Sequence, residues 1–295
     1  MSPRLRFWNS VIHLPVTEML PLAKHAEDLG FEGVMSPDHL VWWGEEITSK
    51  YPFNASGDVW WPEEAHWPDP WVSAAAMAAV TSRVRFGHHV YVLPLRDPIN
   101  VAKAVATTAA VAGGRVVFAF GVGWMREEFD LVGQQFARRG RRTDEMLDVL
   151  KKLWTGERVS HHGEFYNFTN ISMRPFPPES IPLIAGGHSE SALRRAASRC
   201  DGWLGASRFT PDGLISIVDR LKEYRADAGR EGMPFDILIS LGKRDHNPDT
   251  LSKVADLGVT GLMVAPWTIF PNDRIDSLVG KMTAMDDFAK AFMTP

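Results

Sequence analysis

Hydrophobic positions in this chain cluster into short unbroken runs, and polar-patterned stretches of helical period separate them. Such runs, bounded by Gly, Pro and polar residues, are typical of parallel strands buried on both faces, and the stretches between them read as covering helices. The first run, Leu5 to Ile12, ends at His13 and Pro15, and Thr17 is placed to cap a helix through Leu29 that stops at Gly30. Gly33 to Ser36 is the second strand; Asp38, His39 and a long loop of Trp, Pro, Gly and Asn follow it, until Asp69 and Pro70 open a helix to Val80. Arg83 to Leu93 reads as the third strand and Pro98 to Ala112 as its helix, closed by Gly113 and Gly114.

Arg115 to Gly121 is a fourth strand leading into Gly-Val-Gly-Trp, a charged stretch, a helix from about Thr143 to Trp154, and a hairpin over Arg158 to Phe168 turning at His162 and Gly163. Four more pairs complete the chain: Ile181 to Ala185 with Ser189 to Arg199, Gly202 to Gly205 with Pro211 to Gly229, Phe235 to Leu241 with Pro248 to Leu257, and Val259 to Ala265 with Asp273 to Lys290. Eight βα units in one chain of 295 residues predict a single (β/α)8 TIM barrel over residues 1–295, with insertions after strands two and four, in preference to an open doubly wound sheet.

Composition narrows the function. A hydrophobic fraction of 45% with 23% charged residues is that of a globule with a large core. Thirty-two Lys plus Arg against 36 Asp plus Glu leave a net charge of -4, which excludes the basic footprint of a nucleic-acid binder. No run approaches the roughly 20 apolar residues that cross a bilayer, and the opening MSPRLRFWNSVIHLPVTEML does not read as a secretory signal, so a cytoplasmic protein is expected. The single cysteine, Cys200, makes no intrachain disulfide, and several of the 11 tryptophans crowd into Trp42 to Trp71.

In such a barrel the active site lies at the C-terminal ends of the strands. The candidates are therefore His13; Asp38 and His39; His88, His89 and Tyr91; Val122, Gly123 and Trp124; and Gly186 to Ser189. Without an HxH pair after strand one or a Lys and carboxylate set after strands four to eight, no metal is expected, and proton transfer or cofactor contact suits the histidines better. Gly-Gly-His-Ser at 186–189 reads either as an anion site at a helix start or as a plain tight turn. Gly121 and Gly123 lack the third glycine of a dinucleotide fingerprint. The run Arg138, Arg139, Arg141 and Arg142 is expected to pair with Asp144 and Glu145 on a solvated face, and the Trp-rich loop to be a lid or an aromatic wall.

These residues carry a resemblance. GFEGVMSPDHL at 30–40, RVRFGHHVYVLPLRDPINVAK at 83–103, GGRVVFAFGVGWMREEFDLVG at 113–133, RRGRRTDEMLDVLKKLW to Trp154, HHGEFYNF and PLIAGGHSESALRRAASRCDGWLG at 182–205 resemble the luciferase-like monooxygenase superfamily, over roughly the first 205 residues. The resemblance implies a TIM barrel that uses FMN or the deazaflavin coenzyme F420, acts on a small-molecule substrate and forms a homodimer. The F420-dependent branch is the more similar. It implies His39 and Trp43 as catalytic residues and Asp38 as a deazaflavin contact. It further implies a cis peptide at His89-Val90 supporting the ring, Val122 and Gly123 beside it, and Gly186, Gly187, Ser189 and Glu190 around the phosphate.

What the resemblance implies is hydride transfer between C5 of F420 and a small organic substrate. The alternative is an FMN-dependent two-component monooxygenase fed by a separate reductase. One position departs: related sugar-phosphate and alcohol dehydrogenases carry a catalytic glutamate where this chain has Trp124, and Glu127 and Glu128 stand nearby but out of register.

Overall fold

The computed structural model describes residues 5–293. In chain order its elements are β1 (Arg6–Ser10), α1 (Val16–Leu29), β2 (Gly33–Ser36), α2 (Pro70–Ala79), β3 (Arg85–His88), β4 (Tyr91–Val92), α3 (Pro98–Val111) and β5 (Phe118–Gly121). Next come α4 (Arg126–Leu131), α5 (Arg139–Trp154), β6 (Val159–His162), β7 (Asn167–Ile171), β8 (Leu183–Gly186), α6 (Glu190–Arg199), β9 (Gly202–Phe209) and α7 (Pro211–Asp227). The last are β10 (Asp236–Leu241), α8 (Pro248–Leu257), β11 (Gly261–Val264), α9 (Pro266–Ile269) and α10 (Leu278–Phe292).

Nine strands pair in the order β3-β2-β1-β11-β10-β9-β8-β5-β4, every neighbour parallel. β3 and β4 are two pieces of one strand, so the order closes on itself: the Phe86 amide donates to the Arg115 carbonyl at 2.8 Å, and the Val117 amide to the Phe86 carbonyl at 2.8 Å. The architecture is the expected TIM barrel. Alternate strand residues face inward, where Trp8, Met35, Val117, Ala119, Ile184, Leu204, Leu238 and Met263 fill the interior. Their neighbours Phe7, Val34, Phe86, Phe118 and Leu183 face outward to the helices. Among the described residues no helix is long and apolar enough to cross a membrane.

Several boundaries differ from the sequence expectation. Strand three is broken between His88 and Tyr91. Thr17 lies inside α1, whose N-cap is Pro15 with no side-chain bond, whereas Asp69 does cap α2 through the Val72 amide. α5 begins at Arg139, ahead of the expected Thr143, and this moves the basic run into the helix and changes its partners. Arg138 and Arg141 pair with Glu164 of the β6–β7 turn, Arg142 is buried with a bond to the Pro94 carbonyl at 2.7 Å, and Asp144 pairs with Arg195. Glu145 instead accepts the Glu164, Phe165 and Tyr166 amides, so the hairpin turns over 163–166.

One buried carboxylate ties α1 to the third strand. Glu27 accepts the amides of Ser82 at 2.7 Å and Val84 at 3.3 Å, and that of Arg83 between them. Burial pushes its carboxyl up, but the Arg83, Ser82 and Val84 amides outweigh this and hold it at about 2. Because the folded value lies below the unfolded one, the stabilisation is complete above about pH 4.5 and is lost as pH falls from there through about 2. Glu27→Gln should therefore cost on the order of 2 kcal/mol in urea denaturation at pH 7. That deficit should shrink as pH is lowered from about 5 to 3; a constant deficit would reject the charge-based account.

Candidate active site

The C-terminal ends of β1, β2, β4, β5 and β8 converge on one mouth. Its floor is the break in strand three, where the His89-Val90 peptide is cis. Val90 packs on the barrel's interior cluster and lies between two glycines: a Cβ at Gly121 would sit 2.6 Å from Val90 Cγ2, and one at Gly186 2.6 Å from Val90 Cγ1. Both glycines are glycine because Val90 fills their side-chain space. Gly123 makes room in the same way for Val92 Cγ1 and the Phe129 ring.

The floor is pinned from below. Asp38 is buried and accepts the Val92 amide at 2.7 Å and Arg96 Nη2 at 2.8 Å. Burial opposes the Arg96 charge, but Asp38 outweighs it and raises the guanidinium above its ordinary range. His89 Nε2 lies 2.9 Å from Ser10 Oγ on β1. Burial, and then the neighbouring His13, lower the His89 imidazole to about 4, so it is neutral at pH 7.

His39 stands at the end of β2. Its Nδ1 is 3.0 Å from Glu128 Oε2, and the other oxygen of that carboxylate accepts the Leu40 amide at 2.6 Å. Three rings surround the imidazole, with centroids at 4.9 Å for Trp61, 4.7 Å for Trp67 and 5.8 Å for Trp124. Trp43 is half-buried ahead of a 3₁₀ turn at Gly44–Glu46, and it is not among the rings that meet His39. His13 bridges to His66 and packs on Trp60 and Trp67 at 5.1 and 4.7 Å. Burial and then His39 lower it to about 4, and its Nε2 is buried with no partner among the described residues.

α4 is the clamp that seats the aromatic insertion on this mouth. The Arg126 amide donates to Ser49 Oγ at 2.9 Å, and Glu127 Oε1 accepts the Thr48 amide and hydroxyl at 2.8 and 2.7 Å and the Ser49 amide at 3.0 Å. Burial pushes the Glu127 carboxyl up, but the Ser49 and Thr48 donors hold it at about 2. The insertion then crosses the mouth: Tyr51 meets Trp61 and Trp124, and Phe53 reaches His188 at 4.9 Å. Sequence reading dismissed Glu127 and Glu128 as out of register, yet Glu128 is the carboxylate that reaches His39.

Across the mouth, Gly187 has φ +116°, a conformation that favours glycine, and its carbonyl accepts Trp203 Nε1 at 2.8 Å. Ser189 caps α6 by accepting the Ala192 amide at 3.3 Å, while Glu190 is exposed and pairs with Arg194 at 2.9 Å. The Ser189 hydroxyl and the Glu190 carboxylate are thus engaged with the helix itself.

Residues 6–242 match the family model described as luciferase-like monooxygenase. The chain belongs to this family. An uncharacterised protein of Mycobacterium tuberculosis (strain ATCC 25618 / H37Rv) is 36% identical to this luciferase-like enzyme over 290 residues, 97% of this chain and 98% of that one. An F420-dependent glucose-6-phosphate dehydrogenase of Microbacterium testaceum (strain StLB037) is 27% identical over 238 residues, 79% of this chain and 65% of that enzyme. The coenzyme F420-dependent tetrahydromethanopterin reductase from Methanopyrus kandleri shares the fold, with a TM-score of 0.75 at 16% identity, over 98% of this chain and 99% of that one.

Proposed function

We propose that this luciferase-like enzyme is an F420-dependent oxidoreductase acting on a small organic substrate, with His39 giving or taking the proton that accompanies hydride transfer. When bound, the deazaflavin supplies a two-electron hydride donor or acceptor at C5. The observation that carries the reading is His39, at a strand end of the barrel mouth, tied to Glu128 at 3.0 Å and ringed by Trp61, Trp67 and Trp124. Sequence likeness to the F420-dependent dehydrogenase of Microbacterium testaceum supports the same cofactor class.

The residues present fit such a group. Val90, at the cis bond and packed on the interior cluster, would support the ring, with His89, Val122 and Gly123 lining it and Asp38 holding the strand-three backbone behind, and His13 Nε2 is an orphaned polar atom for a ring's polar edge to satisfy. Gly186, Gly187, Ser189 and Glu190 offer a turn and helix start to a phosphate. Trp43 is proposed as a wall of the substrate room. The aromatic insertion excludes water, and His39 holds or releases the proton at Nε2.

Parallel titration of the apoprotein with F420 and FMN, followed by fluorescence quenching, tests this. Saturable binding of F420 supports it, and saturable binding of FMN alone rejects it in favour of a two-component monooxygenase. A homodimer is also proposed, because Val72, Val80, Ile99 and Val111 are 70%, 43%, 42% and 52% exposed on or at the end of the adjacent helices α2 and α3. Light scattering on the same preparation should give twice the chain mass of 33.0 kDa, and the single-chain mass rejects the dimer.

A further inference from the structure

One carboxylate in this mouth does two things at once. Glu128 is 1% exposed, and its two oxygens reach different parts of the same turn, Oε2 to the His39 ring at 3.0 Å and Oε1 to the Leu40 amide at 2.6 Å. The amide bond fixes where the carboxylate stands, so the ring must orient to it. An ionised carboxylate only accepts hydrogen bonds, so the nitrogen facing it must be N–H. With Nδ1 carrying hydrogen, the neutral ring has its lone pair on Nε2.

We propose that Glu128 is the positioning residue of His39: it fixes the tautomer with Nδ1–H and a free lone pair at Nε2, and its charge matches the proton that Nε2 accepts from substrate. In the reverse direction the same pair releases that proton. The inference rests on the reading of His39 as the proton-transfer residue and deepens it.

The remaining groups around His39 leave this charge role to Glu128. His13, from β1, is neutral at pH 7, and so is His89 behind it. Asp38 is engaged by Arg96 and the Val92 amide, and Glu127 by Thr48 and Ser49. Tyr51 meets Trp61 and Trp124 on the insertion side. Among these, Glu128 is the carboxylate hydrogen-bonded to the ring.

The test compares the wild type with Glu128→Gln and Glu128→Ala. Nitrogen-15 NMR of the apoprotein at about pH 8 should show His39 with Nδ1 protonated and Nε2 bare, and Glu128→Ala should shift the ring to the Nε2–H tautomer. With F420 bound, Glu128→Gln should lower kcat at least about tenfold. It should also move the limb of the pH–rate profile that reports His39 to lower pH by about one unit or more, because loss of a neighbouring negative charge disfavours the imidazolium. An Nε2–H ring in the wild type overturns the proposal. So do variants that melt earlier but keep both tautomer and pH profile, since a purely structural role predicts that. Preference for FMN in the titration above would reject the cofactor reading while leaving the apoprotein NMR result standing, so the two failures are distinguishable.

Discussion

Replacing His39 by alanine is expected to lower kcat by about 10²- to 10⁴-fold while changing F420 affinity less than about threefold. The split follows from which contacts build which part of the mouth. His39 is held by Glu128 and the tryptophan rings and makes none of the bonds that shape the floor. The floor rests on the Asp38 bonds to Arg96 and the Val92 amide and on the Ser10–His89 pair, which the substitution leaves intact. Cavity formation beside Trp61 and Trp67 is a second route by which alanine could lower the rate. His39→Gln retains most of the volume and separates the two: a rate as low as that of alanine assigns the loss to proton transfer, and a rate near wild type assigns it to packing. Steady-state rates and fluorescence titration on the same preparations give both quantities. Unchanged turnover in the alanine variant rejects His39 as the proton-transfer residue.

The barrel was legible because most of its parallel strands are short, largely apolar runs and most of its helices are punctuated by Gly, Pro, Asp or Ser at their ends. Asp69 before Pro70 and Gly30 after Leu29 bound α2 and α1 as such residues do elsewhere. What local pattern could not resolve is anything set by tertiary contact. Arg83 to Leu93 has no turn residue such as Pro or Asn at its break, so nothing in its pattern separates β3 from β4. The family resemblance, not the periodicity, pointed to His89-Val90. Placing the start of α5 four residues late reassigned a whole charge cluster, because Arg138 and Arg141 find Glu164 on the hairpin rather than Asp144 and Glu145 along the chain.

The site shows the same division. His39 could be found from its position just after a strand, but its partner Glu128 is 89 residues away, and only closure of the barrel brings α4 over β2. Trp43 comes from the family resemblance alone, and in the structure it stands in a loop ahead of a 3₁₀ turn, away from the rings that meet His39. The rings that do meet His39 come from Trp61 and Trp67, carried back over the mouth by an irregular insertion that Glu127 ties down at Thr48 and Ser49. Each Trp-Pro pair marks that loop in the sequence, but not which ring faces inward.

Gly186→Ala should destabilise the apoprotein by about 1 to 3 kcal/mol and weaken F420 binding at least about tenfold, and both losses should be largely reversed by adding Val90→Ala. Were Gly186 needed only as a backbone contact in the phosphate turn, a methyl group would affect binding alone and Val90 would be irrelevant. The geometry adds a packing constraint. A Cβ at Gly186 would lie 2.6 Å from Val90 Cγ1 and 3.3 Å from the Phe120 carbonyl, closer than side-chain atoms approach without displacement. Val90 cannot retreat sideways, because Gly121 on its other flank is already filled by Val90 Cγ2, nor downward, because it rests on the packed interior of Val117, Ala119 and Ile184. The added methyl must therefore lift the floor toward the open mouth. Removing both Val90 methyls returns the space, leaving a small cavity cost in place of a clash. Urea denaturation and fluorescence titration of the wild type, the two single variants and the double variant complete the cycle, with a coupling on the order of 1 to 2 kcal/mol expected. Strict additivity would mean that Gly186 acts independently of Val90 and would reject the packing account.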